Sequence, residues 1–302
     1  MTPIFIFSLP RSGSTYLQKL LMTSEEICSV SEPWFLLPLI YMQKKDSIIA
    51  EYGQSIAQRG INELIDQLPN KQNDWDAEIR IFSNNIYTKL AKSNPNAQYF
   101  IDKTPRYTLV AEDIIRIFPN AKFIILVRNP IDMLISIIRS WTNNKWKIGA
   151  FKIDLEQGFA HLRLLIFKYS ENPNVLTIRY EELVENSSIV IMKLESFLNI
   201  KINKDLISRS HLDGSLGDKL ELRKNKEKKV IVSLFRYYNF KKMINNINNE
   251  EWKALGYNKQ NLIKEIDTQK RIRSVGLFDM LWSIKDLLRL YFIPRKNKNI
   301  LY

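Results

Sequence analysis

Pro3-Ile4-Phe5-Ile6-Phe7-Ser8-Leu9-Pro10-Arg11-Ser12-Gly13-Ser14-Thr15-Tyr16-Leu17 opens the chain and decides its architecture. Pro3–Ser8 is short, apolar and rich in aromatic and β-branched residues, which reads as a buried strand. Pro10-Arg11-Ser12-Gly13 ends the run, and Leu17, Leu20 and Leu21 then fall at helical spacing. A turn between a buried strand and a helix N-terminus is an anion site by physics alone. Unpaired backbone N–H groups and the helix dipole both point at the ligand. Set against the nucleotide-triphosphatase loop G-x-x-x-x-G-K-[ST], Gly13 matches the second glycine, Ser8 stands at the first and Ser14 takes the lysine position. The basic residue has moved to Arg11, so the loop can hold a phosphate without placing a lysine on a γ-phosphate. The plain alternative, a polar turn that caps a helix, leaves the joint donors of Arg11, Gly13, Ser14 and Thr15 unexplained.

A second unit repeats the design. Lys122–Val127 is apolar on both faces, as a central parallel strand should be. Arg128-Asn129-Pro130 ends it; Asn129 can cap and Pro130 suits a first helical position, which predicts a helix over 130–141. Ser136 follows Arg128 by eight positions on that helix. The planar fork of Arg128 suits a second phosphate, with Ser136 beside it; the alternative is an arginine that caps a carbonyl or pairs with Asp132. Tyr99–Ile101 and Val175–Ile178 read as further strands, and Glu181–Leu198 as one further helix. Strands alternating with helices predict an α/β, P-loop-like fold: a central parallel sheet of about four or five strands flanked by helices, with ligands at the strands' C-terminal edge.

Composition narrows the function. The 302 residues, 45% hydrophobic, exclude a disordered or collagen-like chain. A single cysteine, Cys28, excludes a disulfide framework and a cysteine-based zinc site. Two histidines, His161 and His211, leave little for a metal centre or histidine acid–base chemistry, and His161, on an apolar helix, reads as a packed core or groove histidine rather than a catalyst. No metal is expected. The net charge of +13 points to a polyanionic partner. The cations are spread along the chain without a nucleic-acid signature, so nucleic acid is not the expected one. Ile4–Phe7 is too short for a signal segment or a membrane span, which places the expected chain in the cytoplasm.

Together the two anion motifs resemble the sulfotransferase family that uses 3′-phosphoadenosine-5′-phosphosulfate (PAPS). "PRSGSTYL" looks like the 5′ loop of its bacterial and glycan-modifying branches, and "RNPIDMLIS" like its 3′ element; "IRYEELVEN", "SEPWFLLPL" and "DKTPRY" are similar to further family segments. The resemblance covers about residues 3–220. It implies that Arg11, Ser12, Gly13, Ser14, Thr15 and Tyr16 hold the 5′-phosphosulfate, that Arg128 and Ser136 hold the 3′-phosphate, and that Tyr180 lies near the nucleotide. The product would be adenosine 3′,5′-bisphosphate (PAP). Arg223 and Lys224, in a basic stretch from Lys219 to Lys229, match a loop that closes on the 3′-phosphate, although Asn225 stands where the family carries a glycine. A solvated charged loop is the other reading.

In-line sulfuryl transfer builds charge on the bridging oxygen of the leaving group, where fixed donors and a cation catalyse electrostatically. Arg11 and Ser14 suit that task. The cytosolic small-molecule branch uses a histidine as base; here Lys103-Thr104-Pro105-Arg106 stands in that segment without one. The glycan-type branch uses a glutamate or lysine, which makes Glu32 the candidate base and Lys103 a candidate bridge between sulfonyl oxygens and acceptor. Their bland alternatives are a surface carboxylate and a salt bridge to Asp102. Trp34, Arg106, Trp141 and Trp146 offer stacking surface and charge for an acceptor, a carbohydrate or lipid-linked sugar.

The expected division is a transferase domain over 1–270 and an amphipathic helix with a basic tail over 271–302. Leu277, Leu281, Ile284, Leu288 and Tyr291 share one helical face, with Arg289, Arg295, Lys296 and Lys298 nearby. Packing on the core and lying on a membrane surface both fit that pattern. Two other functions compete: a P-loop kinase or NTPase, against which the loop lysine is missing, and a non-catalytic basic module that binds nucleotide or membrane.

Overall fold

Five runs of sequence form strands in the computed structural model, which describes residues 1–44, 48, 50–209, 233–268 and 274–292. They are β1 (Thr2–Ser8), β2 (Ile27–Ser29), β3 (Tyr99–Asp102), β4 (Lys122–Val127) and β5 (Val175–Arg179). All pair in parallel, in the order β2-β3-β1-β4-β5. Between and after them run α1 (Ser14–Leu21), α2 (Leu36–Tyr41), α3 (Gln54–Gln67), α4 (Gln72–Leu90), α5 (Ala111–Ile117), α6 (Pro130–Trp141) and α7 (Phe159–Lys168). Then come α8 (Tyr180–Glu185), α9 (Ser187–Leu198), α10 (Leu234–Asn245), α11 (Asn249–Ala254), α12 (Lys259–Thr268) and α13 (Leu277–Phe292).

Because side chains alternate along a strand, β1 and β4 feed two cores. Phe5, Phe7, Phe123, Ile125 and Val127 face one layer, built on α2, α5, α6, α7 and the α10–α12 group. Phe5 and Phe7 stack on Phe123, with ring centroids 5.8 and 5.9 Å apart. Ile4, Ile6, Ile124 and Leu126 face the other layer, against Leu17, Leu20 and Leu21 of α1 and Leu183, Val190 and Leu194 of α8 and α9. The helix after β1 therefore leaves toward one layer, and the helices after its neighbours β3 and β4 leave toward the other. That divergence opens a crevice at the C-terminal edge of β1, the place where open α/β sheets bind ligands.

The four expected strands and the 130–141 helix are present, and Asn129 caps that helix by accepting the Ile131 N–H at 3.0 Å. The sheet is completed, within the expected four or five strands, by the short edge strand β2, whose residues the sequence did not mark. Two expectations need correction. The helix expected over Glu181–Leu198 is two helices, broken at Asn186. Asn186-Ser187-Ser188 explains the break, because short polar side chains favour caps over helix interiors. Trp146 is no groove residue: it is 2% exposed and meets Phe235 and Phe240 edge-on in the core.

The apolar face of α13 does not pack on the core; Leu277, Leu281, Ile284 and Leu288 are exposed. No helix among the described residues is long and apolar enough to cross a membrane. His211, Arg223, Lys224 and the tail residues Arg295, Lys296 and Lys298 lie outside the described residues.

Candidate active site

The loop after β1 is held in an unusual backbone shape. Arg11 and Gly13 take φ of 64° and 90°, and a non-glycine residue there costs about 1–2 kcal/mol. No side chain caps the first turn of α1, so its N–H groups remain available to an anion. Ser12, Ser14 and Thr15 are buried in this turn. The Tyr180 ring lies directly on Gly13: a Cβ there would fall 2.3 Å from two ring carbons. Tyr16 is half-buried on α1, and burial and the neighbouring Tyr180 push its phenol above the ordinary range.

Arg11 and the second motif form one unit. Arg11 Nε donates to Ser136 Oγ at 3.1 Å and Nη2 to Ser140 Oγ at 3.2 Å, with the guanidinium 5.5 Å from the Trp141 ring centroid. Arg128 Nη1 donates to the main-chain oxygen of Arg11 at 2.6 Å, and its guanidinium lies 4.3 Å from the Tyr180 ring centroid. Arg128 Nε is buried without a hydrogen-bond partner, and so is Ser8 Oγ. A buried unpaired donor costs about 1–3 kcal/mol, and a phosphate at this edge would satisfy the arginine. The residues present thus fit a ligand with two anionic groups: one at the α1 N-terminus, the other beside Arg128 and Ser136.

Glu32 and Lys103 meet on the far side of β1. Lys103 Nζ donates to Glu32 Oε1 at 2.8 Å, and Trp34 Nε1 donates to Glu32 Oε2 at 3.2 Å. Lys103 is 1% exposed and leaves the C-terminal end of β3; its partner is Glu32 rather than the adjacent Asp102. Glu32 arrives by way of β2. Ser29 pairs in register with Ile101, and the buried Gln18 on α1 donates to Ser29 Oγ at 2.7 Å and Val30 O at 2.8 Å. Trp34, at φ 62°, donates its N–H to Thr104 Oγ1 at 3.2 Å, which fastens the segment to the loop after β3. Parallel pairing thus brings the exits of β2, β3, β1 and β4 to one edge.

Beneath Lys103 lies a polar knot that sequence reading missed. Asp102 is fully buried; Tyr87 and Tyr107 donate to its Oδ2 at 2.6 and 3.1 Å, while Oδ1 has no partner. Burial pushes its carboxyl up to about 7, against the opposing pull of the two hydroxyls and Lys103. Burial and Asp102 also hold both phenols well above their ordinary range. The carboxyl is sealed from the cleft, so it is not a base for an acceptor. Tyr87 lies on α4, and no spacing rule links it to Asp102.

The other expected residues divide. Trp141 is 44% exposed, its ring tilted against Phe151 with centroids 5.1 Å apart, and lies next to Arg11. Arg106 grips Asp154 with two hydrogen bonds, of 3.2 and 3.1 Å, which ties it to the chain entering α7. His161 is a packing residue, its Nδ1 lying 3.2 Å from Thr108 O.

Two donor-lined positions and an adjacent carboxylate–ammonium pair thus share the C-terminal edge of a phosphate-loop-like α/β sheet. The sequence matches the profile of the Sulfotransferase family over residues 3–204, two thirds of the chain, and the protein belongs to that family. It is 30% identical over 137 residues to nodulation protein NoeE of Sinorhizobium fredii, a match that takes in 45% of this chain and 31% of that protein. It is 25% identical over 223 residues to protein-tyrosine sulfotransferase 2 of Gallus gallus, covering 72% of this chain and 56% of that one. The chain thus spans about a third to just over half the length of these two relatives. Among solved structures, mouse sulfotransferase SULT7A1 complexed with PAP aligns at 18% identity and a TM-score of 0.39, over 69% of this chain and 63% of that chain.

Proposed function

We propose that this protein transfers a sulfuryl group from PAPS to a hydroxyl of a carbohydrate acceptor. The observation that carries the proposal is the joined pair of anion positions, with Arg128 holding the Arg11 carbonyl and keeping a buried, unpartnered Nε. A donor with a 5′-phosphosulfate and a separate 3′-phosphate needs both. The N–H groups of Gly13, Ser14 and Thr15 and the Ser14 hydroxyl hold the first group; Arg128 and Ser136 hold the second, with Tyr180 as a wall. Ser136 already accepts from Arg11, which leaves its hydroxyl proton free to donate to a phosphate oxygen. Bound there, PAPS supplies the sulfuryl group and a phosphate leaving group.

Glu32 accepts the proton of the acceptor hydroxyl as that oxygen bonds to sulfur. Lys103 neutralises charge on the transferring oxygens, and Arg11 with the α1 N-terminus stabilises the leaving phosphate. Trp34 beside Glu32 and Trp141 beside Arg11 give the cleft aromatic walls that suit a sugar face. In this reading residues 1–270 are the transfer domain and 271–302 an appended helix and tail. A cytoplasmic setting, where thiols stay reduced, suits a chain with one cysteine.

The test is sulfate transfer from radiolabelled PAPS to a panel of glycans, a tyrosine peptide and simple alcohols. Labelled glycan is the expected product. Label on the peptide alone would move the acceptor class to tyrosine, the residue named by the chicken relative. No labelled product together with thermal stabilisation by Mg-ATP but not PAP would return the site to the kinase class.

A further inference from the structure

Helix α13 is mounted the wrong way round for a helix that serves the core. Amphipathic helices bury their apolar stripe; this one is fastened by its acids. Asp279 accepts from Arg236 Nε at 2.9 Å, Arg236 Nη2 at 2.7 Å and Ser233 Oγ at 2.7 Å. About two turns later Asp286 accepts the Gly149 N–H at 2.6 Å. Between them Trp282 lies under Lys145 and Lys147, with the ammonium groups 4.6 and 4.2 Å from its ring centroid. The opposite side carries Leu277, Leu281, Ile284 and Leu288, exposed by 66%, 62%, 52% and 50%. Their spacing of four, three and four residues keeps them on one stripe, and the exposed Phe278 and Leu287 broaden it.

We infer that this face docks on an anionic lipid surface. A contiguous apolar stripe of this extent on a soluble surface marks an interaction site, and the charges around it choose the partner. Both acids of the helix are turned inward and engaged, so the outward side shows no carboxylate. The exposed Lys285 stands at the margin of the stripe, 5.1 Å from the Trp282 ring centroid, and Lys145 and Lys147 add positive charge behind it on the same ring. Leucine and phenylalanine on one face with tryptophan and lysines at the margin is the composition of a helix lying in a membrane interface. Anionic headgroups attract each such lysine from the cytoplasmic side. A second copy of the chain is a poorer occupant, because pairing two such faces brings like-charged flanks together.

The experiment is flotation of the full-length protein with phosphatidylcholine vesicles, with and without phosphatidylserine. Binding should need phosphatidylserine and weaken as salt rises. The double variant Leu281→Glu/Leu288→Glu should lower the partition constant at least about tenfold, with its thermal midpoint kept, because both side chains are already solvent-exposed. Lys145→Gln and Lys285→Gln should each lower it about fivefold. Absence of full-length binding to anionic vesicles would overturn the inference. So would unchanged binding of the double glutamate variant, or a dimer in ultracentrifugation that this variant dissolves while vesicle binding is nil.

Discussion

Arg128 donates to the main-chain oxygen of Arg11 at 2.6 Å, and Arg11 reaches back through its Nε to Ser136, eight residues beyond Arg128. The two motifs are therefore one device: the second shapes the first. A guanidinium that braces a left-handed residue from its carbonyl side offsets the cost of that backbone state. Its Nε remains buried without a hydrogen-bond partner.

Arg128→Ala should consequently cost two things. It should weaken PAP binding by about 2–4 kcal/mol, from the loss of a charge-assisted contact. It should weaken adenosine 5′-phosphosulfate, which lacks the 3′-phosphate, by a smaller amount that reflects only the slackened loop. Calorimetric titration of both ligands measures the difference. Equal losses would remove Arg128 from the 3′-phosphate position and leave it a brace.

Gly13→Ala combines two penalties that can be separated. The new Cβ meets the Tyr180 ring at 2.3 Å, and the φ of 90° is poor for any L side chain. Tyr180→Ala in the same chain removes the first penalty but not the second, which is about 1–2 kcal/mol. The double variant should be more stable in urea than Gly13→Ala alone and still less stable than Tyr180→Ala. Strict additivity of the two changes would show that ring and glycine do not touch.

Asp102 predicts a pH dependence with a definite sign. Its carboxyl holds a proton up to about pH 7 in the fold, whereas an unfolded aspartate releases it near pH ~4. The folded state thus binds more protons across that window, so this stabilising contribution is complete below about pH 4 and is lost as pH rises to about 7. Its size is at most about 4 kcal/mol. Asp102→Asn should flatten the fall of urea midpoint between those limits. A variant whose stability falls with pH as steeply as the parent would assign the slope to other groups, Asp154 first among them.

Much of this frame was legible because its signals are local. Lys122–Val127 is apolar on both faces, Asn129-Pro130 marks a helix start, and Arg11–Thr15 lies between a strand and a helix. What escaped is what depends on pairing across the chain. β2 is three residues long, too short for any alternation to register, yet it carries Glu32 to the edge. Gln18, fully buried on α1, holds that strand through Ser29, a contact no local pattern marks. For Lys103, read as a bridge to the sulfonyl oxygens with a salt bridge to Asp102 as the plain alternative, the ion pair is instead with Glu32, 71 positions away. Trp146, in an aromatic loop that reads as a sugar platform, is claimed by Phe235 and Phe240 from a helix no local rule connects to it.

The Glu32–Lys103 pair gives the sharpest test of the proposed chemistry. Glu32 lies past α1, whose eight residues rise about 12 Å away from the loop, and a turn at Pro33 alone would not bring it back. The return is made by β2, whose parallel pairing with β3 delivers Glu32 to the same edge as Lys103. Glu32→Gln keeps an oxygen for Lys103 and the shape of the side chain, but it cannot take a proton. It should lower turnover about 10²–10⁴-fold and leave PAP affinity nearly unchanged. Lys103→Ala acts differently. It removes a buried cation and leaves Glu32 without its partner, so it should lower stability by about 3–5 kcal/mol as well as turnover. Lys103→Arg keeps the charge and should recover most of the stability but less of the rate, because its planar fork cannot take the place of a compact ammonium. Turnover by Glu32→Gln within about threefold of the parent, under the same PAPS assay, would move the base to another group and leave the ion pair a support for Trp34.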